Sequence, residues 1–374
     1  MRASSMVIKI MPWSKWQFGG KAVSISEEKG LGVDPTAEEV SAFIEEETLP
    51  DRIRLWLRQT PAAVPLVVLL CSLAIFGLLL GGKFFSPFAL TLILQQVAIV
   101  GIVALAQSLV ILTAGIDLSV GAIMVFSSVI MGQFTFRYGL PPEIALICGL
   151  AAGTLMGAIN GVLVAIMRLP PFIVTLGTWQ IFLASNFIYS ANETIRGADI
   201  AERAPIFQFM GNKFKIYGAV FTYGVILMIV LAIILAYVLR HTAWGRHVYA
   251  VGDDPDAAEL SGVRTKRVLI SVYMLSGFIC ATAGWVLVGR IGSVSPTSGQ
   301  FANIEAITAV VIGGISLFGG RGSILGALCG ALIVGVFSLG LRMIGTDPQW
   351  TYLLIGLLII VAVALDQWIR KVAV

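Results

Sequence analysis

Charged residues are what this sequence has least of. Only 12% of its 374 residues are Asp, Glu, Lys or Arg, against about 25% in ordinary soluble domains, while 57% are hydrophobic. Positions 1–60 hold 17 of the 46 charged residues, so the rest of the chain is poorer still. Such a chain cannot cover a water-facing surface, which excludes a soluble multidomain enzyme. A net charge of +4 without a basic patch argues against nucleic acid as a partner.

Histidine and cysteine, the usual metal ligands and nucleophiles, are also scarce. The two histidines, His241 and His247, are six residues apart, which is poor spacing for a metal pair on one helix. The four cysteines lie inside apolar runs without a CxxC pair, so we interpret them as packing residues. Neither Gly-Lys pair is followed by Ser or Thr, so there is no Walker loop. The sequence therefore predicts no enzyme, no metal and no cofactor on this chain.

Apolar runs long enough to cross a bilayer make up most of the chain after position 60. A hydrocarbon core of about 30 Å needs about 20 apolar helical residues. Ten runs of this kind predict an all-α, polytopic transmembrane helix bundle; they fall at about 61–81, 88–112, 118–136, 143–167, 171–190, 218–240, 267–289, 305–319, 322–342 and 349–368. Gly and polar residues interrupt the third and eighth runs, which predicts one or two broken or re-entrant helices.

The runs divide the chain into three parts. Residues 1–60 form a tail with short amphipathic helices, residues 61–370 form the transmembrane domain, and residues 240–266 form a loop within it. Lys and Arg near the run ends number twelve on the side of the termini and eight on the other side. Because cytoplasmic ends carry the excess of positive charge, we expect both termini and the loop to be cytoplasmic.

Two short glycine-rich stretches recur along the chain. Residues 153–161 match 322–330 in their spacing of glycine, and residues 114–118 resemble 313–317. Glycine at every fourth position gives a flat face on which another helix can pack closely. The pattern is compatible with a duplicated half, but stripes of small residues also recur in many unrelated membrane bundles.

Asp117 is the most informative single residue, because it stands between two apolar runs. A carboxylate at membrane depth is costly and normally faces a cavity or a partner. Gly115, Ser119 and Gly121 would let the backbone break here and expose its polar groups to a solute. Alternatively, Asp117 caps the following helix through Ser119 or the next backbone amides. The two interpretations are compatible.

The loop after the sixth run contains a compact helix signal. Asp254 is a good cap, Pro255 suits the first helical position and Gly262 suits the end. Ala257 and Ala258 between them favour about two turns of helix with small sides, which another protein could approach closely. The alternative is a loop helix that lies on the membrane surface.

Three ordered motifs carry a family resemblance. They are Ala-Gly-Ile-Asp-Leu-Ser at 114–119, Ala-Ala-Glu-Leu-Ser-Gly-Val at 257–263 and Ile-Gly-Gly-Ile-Ser-Leu-Phe-Gly-Gly-Arg-Gly-Ser at 312–323. The sequence resembles the membrane permeases of bacterial ABC importers for ribose, xylose, fructose and related monosaccharides, over residues of about 61–370. It departs from them at Asp254, where many such permeases have Asn; both residues cap helices.

The resemblance implies a multi-pass transport subunit of the bacterial inner membrane, without an ATPase site of its own. Such permeases work in pairs, receive the sugar from a periplasmic binding protein, and are driven by a separate cytoplasmic ATPase subunit that binds ATP and Mg. The helix in the loop would be the coupling helix that contacts this ATPase. The implied coupling residues are Gly252, Asp254, Ala257, Ala258 and Gly262.

A sugar path needs hydrogen-bonding groups among apolar and aromatic walls, because monosaccharides present hydroxyls. The main candidates at membrane level are Asp117, Asn160, Gln107, Thr175, Trp179 and Glu305, and the further polar candidates are Gln95, Gln96, Thr178, Gln180 and Asn186. Each polar member would also suit hydrogen bonding between helices. The rival function is an ion-coupled secondary sugar transporter, which usually needs several intramembrane carboxylates or histidines. Here only Asp117 and Glu305 qualify, and the identity of the sugar cannot be inferred from the sequence.

Overall fold

The computed structural model describes residues 63–364, apart from 217, 348, 351, 352, 355, 359 and 362. This part of the chain begins with five helices: Ala63–Leu80 (α1), Pro87–Leu112 (α2), Val120–Phe136 (α3), Pro142–Ala165 (α4) and Pro171–Ser190 (α5). Two short helices, Gly197–Arg203 (α6) and Pro205–Gln208 (α7), then precede the strands Lys213–Ile216 (β1) and Ala219–Thr222 (β2). The remaining helices are Tyr223–His241 (α8), Ala243–Asp253 (α9), Pro255–Leu260 (α10), Thr265–Ile291 (α11), Ala302–Ile312 (α12) and Ile324–Ile344 (α13).

Seven of the helices in the described part are long and apolar enough to cross a membrane, namely α1, α2, α4, α5, α8, α11 and α13. The two runs with interruptions form shorter helices, α3 with 17 residues and α12 with 11. The tenth run, 349–368, lies only partly within the described residues, and those from 349 to 364 are helical. The prediction of an all-α polytopic bundle is confirmed. The amino-terminal tail lies outside the described residues.

Two run boundaries were wrong. The run predicted at 218–240 starts with β2, which pairs antiparallel with β1, and helix α8 begins only at Tyr223. Thr91 fixes this hairpin to α2, since its Oγ1 accepts a hydrogen bond from Val220 N at 2.9 Å. The run predicted at 305–319 is helical only to Ile312, because the left-handed φ of +76° at Gly314 cannot continue a helix.

Glycine stripes bring helices together at two places in the core. A Cβ on Gly157 of α4 would collide with the carbonyl group of Tyr273 on α11. Likewise, a Cβ on Gly330 of α13 would collide with the Ala309 carbonyl oxygen of α12. Both stripes therefore let backbones touch, as the spacing of glycine predicts. The outer faces are apolar; Leu78 and Ile188, for example, are 87% and 81% exposed, which suits contact with lipid.

Candidate functional site

Residues 113–119 interrupt the helical structure between α2 and α3, and we call this segment the first break. Asp117 lies buried in it. Ala114 adopts a left-handed φ of +58°, which ends α2. The Asp117 side chain is 1% exposed, and its Oδ1 accepts hydrogen bonds from Ser119 N at 2.7 Å and Ser119 Oγ at 2.6 Å. Asp117 thus stabilises the start of α3 through Ser119, which was one of the two interpretations of the sequence.

Two amide side chains, one on α4 and one on α2, form hydrogen bonds with residues of the same break. Asn160 of α4 donates a hydrogen bond from Nδ2 to Ser119 Oγ at 2.8 Å. The Gln107 amide of α2, in the orientation that satisfies both of its ends, donates to the Asp117 carbonyl oxygen (3.0 Å) and accepts from the Asp117 N–H (3.2 Å). The main chain and side chain of Asp117 are therefore both held by buried partners.

Thr175 of α5 completes this cluster. Its Oγ1 donates to the carbonyl oxygen of Ile116 at 2.9 Å. Four of the six predicted path residues thus come together around a single backbone break, and all four are 0–1% exposed: Asp117, Asn160, Gln107 and Thr175. In the described part of the chain, none of these four lines either of the two cavities given below.

A second break lies between α12 and α13, at residues 313–323, and it touches the first. Ser316 Oγ accepts a hydrogen bond from Phe318 N at 3.3 Å, which makes a turn like the one at Asp117. Gly320 N donates to the carbonyl oxygen of Leu112, at the end of α2, at 3.0 Å. The two interrupted regions of the bundle therefore meet backbone to backbone.

Helix α9 of the loop packs on this meeting point. A Cβ on Gly252 would collide with the Leu112 carbonyl oxygen and would lie 2.7 Å from Gly320 N. Tyr249 donates its hydroxyl to the Gly322 carbonyl oxygen at 3.0 Å, and burial raises the pKa of this phenol, which keeps it a donor. One loop helix thus contacts both breaks. Helix α9 was not predicted from the sequence, although its buried Val248 and Val251 form an apolar face at helical spacing.

Helix α10 has the structure that its sequence predicts. Asp254 Oδ1 accepts hydrogen bonds from the N–H groups of Asp256 and Ala257, both at 3.0 Å. The helix begins at Pro255, and Gly262 follows it with a left-handed φ of +86°. The predicted cap, first position and end are confirmed.

The predicted coupling residues do not share one surface. Ala258 is 5% exposed and faces the interior of the protein, and Gly252 is buried against the two breaks. Asp254, Ala257 and Gly262 are exposed. Leu260, which was not among the predicted coupling residues, is 91% exposed. The spacing of residues predicted the helix but not which of its faces turns inward.

Trp179 lies in a different place, at a cavity of about 200 Å³ between α3, α5, the segment 296–301 and α12. Asn186 lies two turns further along the same face of α5 and donates Nδ2 to the Pro296 carbonyl oxygen at 2.9 Å. The lining includes Ala122, Trp179, Asn186, Ser298, Gln300 and Asn303. Ser298, Gln300 and Asn303 carried no signal in the sequence, because Ser298 and Gln300 reach this cavity only through the folding of the 292–301 segment, and Asn303 only through the position of α12.

Glu305 belongs to a third group of polar residues. Gln96 of α2 donates Nε2 to Glu305 Oε2 at 3.4 Å, and Arg290 of α11 donates Nη1 to Gln96 Oε1 at 2.6 Å. Arg290 and Gln95 line a second cavity of about 250 Å³. The six predicted path residues are therefore distributed over three places. No group of three or more metal-ligating side chains is found among the described residues.

Long apolar helices, two internal breaks and a loop helix seated on both of them define a multi-pass membrane transport protein. The family model described as "Branched-chain amino acid transport system / permease component" matches residues 89–363. Since this match covers most of the chain, the chain belongs to that permease family, whose members are membrane subunits and not enzymes.

The chain is similar in sequence to several sugar permeases. It is 71% identical to the fructose import permease protein FrcC of Rhizobium meliloti, over 91% of this chain and 94% of the relative. It is 37% identical to the ribose import permease protein RbsC of Bacillus subtilis, over 79% and 89%. It is 34% identical to the D-allose transport system permease protein AlsC of Escherichia coli, over 81% and 91%. No solved structure matches.

Proposed function

We propose that this chain is the permease subunit of an ATP-driven importer in the bacterial inner membrane, and that it carries a monosaccharide. Relatives named for fructose, ribose and allose import support the sugar, and the match at 71% identity extends over nearly the whole chain. The family description mentions branched-chain amino acids instead. A test of the cargo therefore has to include both classes of solute.

The importer would contain three kinds of partner. A periplasmic binding protein delivers the sugar, a cytoplasmic ATPase subunit binds ATP and Mg, and a second copy of this chain completes the path. Both termini and the 240–266 loop lie in the cytoplasm in this arrangement. The excess of Lys and Arg on that side supports it.

The observation that carries the proposal is the position of α9 and α10, which connects an exposed surface with the two breaks. Leu260 projects from α10 as a large apolar side chain that is 91% exposed, and Gly252 at the end of α9 touches both helix breaks. Because packed backbones transmit displacement instead of absorbing it, a shift of α10 reaches both breaks. An ATPase that contacts Leu260 differently in its nucleotide states would bias inward-facing against outward-facing conformations.

We assign different functional roles to the predicted path residues. Asp117, Asn160, Gln107 and Thr175 fix the first break, around which the path bends. Trp179 borders a cavity, so it is placed to touch the sugar. Glu305 holds α12 to α2 through Gln96.

Reconstitution tests this function. The chain, with its ATPase and its binding protein, is placed in vesicles and supplied with labelled fructose, ribose or leucine. We expect accumulation of a monosaccharide that requires ATP. Accumulation of leucine alone would contradict the sugar cargo, and accumulation by the chain alone under an ion gradient would identify a secondary transporter.

Leu260→Asp tests the coupling surface. We expect it to lower the amount of ATPase that copurifies with the chain by about tenfold or more, because an exposed apolar anchor contributes strongly to an interface. Ala243→Asp is the matched control, since Ala243 is exposed at the first position of α9, where Asp is favourable. Equal recovery of the ATPase with both variants would refute the assignment.

A further inference from the structure

A buried amide forms part of the wall of the cavity beside Trp179. Asn186 is 1% exposed and lines the cavity, and its Oδ1 has no hydrogen-bond partner among the described residues. Its Nδ2 is held by the Pro296 carbonyl oxygen, which fixes the orientation of the amide. Because Oδ1 is itself buried and shielded from the cavity, the amide forms a rigid part of the wall, and a ligand has to be recognised by the other lining groups.

The size and walls of the cavity indicate the ligand. A dry cavity of about 150 Å³ holds one benzene ring, so about 200 Å³ holds a single sugar ring. The indole of Trp179 provides an apolar wall for the C–H face of such a ring, while Gln300 and Ser298 add polar groups at its edge. A lipid chain or an apolar side chain would contact only the apolar wall, whereas the hydroxyls of a sugar ring would also meet these polar groups.

We propose that this cavity is the monosaccharide-binding site of the permease, with the sugar ring against Trp179 and its hydroxyls near Ser298 and Gln300. The inference rests on the function proposed above and names the place where that function binds its cargo. The sugar would therefore bind in the cavity and not at the buried cluster around Asp117.

The cavity wall is also joined to the first break. Asn303 donates Nδ2 to the Leu118 carbonyl oxygen at 3.2 Å, and a Cβ on Gly121 would lie 3.2 Å from Asn303 N. A movement that α9 passes to the break at Leu112 therefore continues to the cavity. This connection explains how ATP hydrolysis could change the affinity for sugar at a distance.

Cysteine protection tests the site directly. Ser298 lines the cavity, while its neighbour Thr297 is exposed and does not. Ser298→Cys and Thr297→Cys are made separately in a background without the four native cysteines and are labelled with a small thiol reagent in nanodiscs. We expect excess fructose to slow the labelling of position 298 at least threefold and to leave position 297 unchanged, and we expect leucine to have no effect.

A functional readout accompanies the labelling. In the full importer, we expect Trp179→Leu to reduce the sugar transported per ATP hydrolysed by about five- to tenfold, since it removes a stacking wall without touching the loop helices. Trp179→Phe should recover part of that ratio. A merely structural tryptophan would lower transport and ATP hydrolysis together.

The outcomes separate the two proposals. If the wild-type importer carries a monosaccharide but fructose and ribose both fail to protect position 298, and Trp179→Leu keeps the wild-type ratio, the cavity is not the site. If position 298 does not label even without sugar, a second copy or lipid fills the cavity and the inference is overturned. If the wild-type importer carries no monosaccharide at all, the proposed function falls and the inference falls with it.

Discussion

Asp117→Leu is expected to destabilise the break between α2 and α3. The leucine offers no acceptor, so the N–H and the hydroxyl of Ser119 both lose the partner that they have at 2.7 and 2.6 Å. A buried donor left unpaired costs about 1–3 kcal/mol, which makes about 2–6 kcal/mol for the pair. Removal of a buried carboxylate offsets part of this cost, so we expect the lower half of that range.

Asp117→Asn is the matched variant, because its Oδ1 still accepts from both donors of Ser119. It loses only the charge, and charge-assisted hydrogen bonds are roughly twice as strong as neutral ones, so we expect a cost of about 1–2 kcal/mol. The assay is thermal unfolding of the purified chain in detergent, followed by size-exclusion chromatography, together with uptake by the reconstituted importer. We expect the order wild type, Asn, Leu in stability, and uptake that follows stability.

Two results would refute this reasoning in different ways. A Leu variant with the melting temperature of the wild type would mean that Ser119 does not depend on Asp117. An Asn variant that melts like the wild type but transports no sugar would give the charge of Asp117 a direct role in transport. The second result would favour the cavity-facing interpretation of this residue that the sequence left open.

The loop helices give the remaining predictions. Gly252→Ala should lower both thermal stability and sugar transport, because its Cβ has no space between the two breaks. Gly177→Ala is the control and should leave both unchanged, since no atom lies within 4 Å of its Cβ. Melting curves and uptake measure this, and equal behaviour of the two variants would contradict it. Ala258→Arg should impair folding, because it forces a charge into the interior of the protein. Ala257→Arg, on the exposed side of α10, should fold normally but no longer bind the ATPase. The yield of folded chain and copurification of the ATPase distinguish the two variants, and the reverse pattern would mean that the faces of α10 are misassigned.

Features set by neighbouring residues were predictable from the sequence. Helix α10 follows from Asp254, Pro255 and Gly262, whose effects act within one or two turns. The long helices follow from the length of apolar runs. The shortness of α12 was also visible in outline, since glycine follows Ile312 directly.

Features that depend on distant partners were not predictable. Thr175 and Ile116 are 59 positions apart, and Asn160 and Ser119 are 41 apart, so no local pattern shows that these residues meet. The β-hairpin was missed because Val220 and Phe221 extend the apolar run of α8 and carry no break signal between them. The side of α10 that turns inward depends on the packing of the whole loop, which a helix of six residues does not encode by itself.

The two breaks share a backbone pattern, and this gives the weak internal repeat a mechanical meaning. Gly115 N bonds the Val110 carbonyl oxygen at 3.1 Å, and Ile315 N bonds the Val310 carbonyl oxygen at 3.2 Å, so both helices end in the same hydrogen-bonded turn. Each turn is followed by a side-chain oxygen that accepts the N–H two residues on, at Asp117 in the first break and at Ser316 in the second.

Equivalent turns at the ends of two helices present equivalent backbone groups, and here these groups meet through the bond from Gly320 N to the Leu112 carbonyl oxygen. A helix that packs on this bond contacts both breaks at once. Gly252 is at that position, and any side chain there would separate the breaks. Under the proposed function, a displacement of this one loop helix would therefore reach both interrupted regions together.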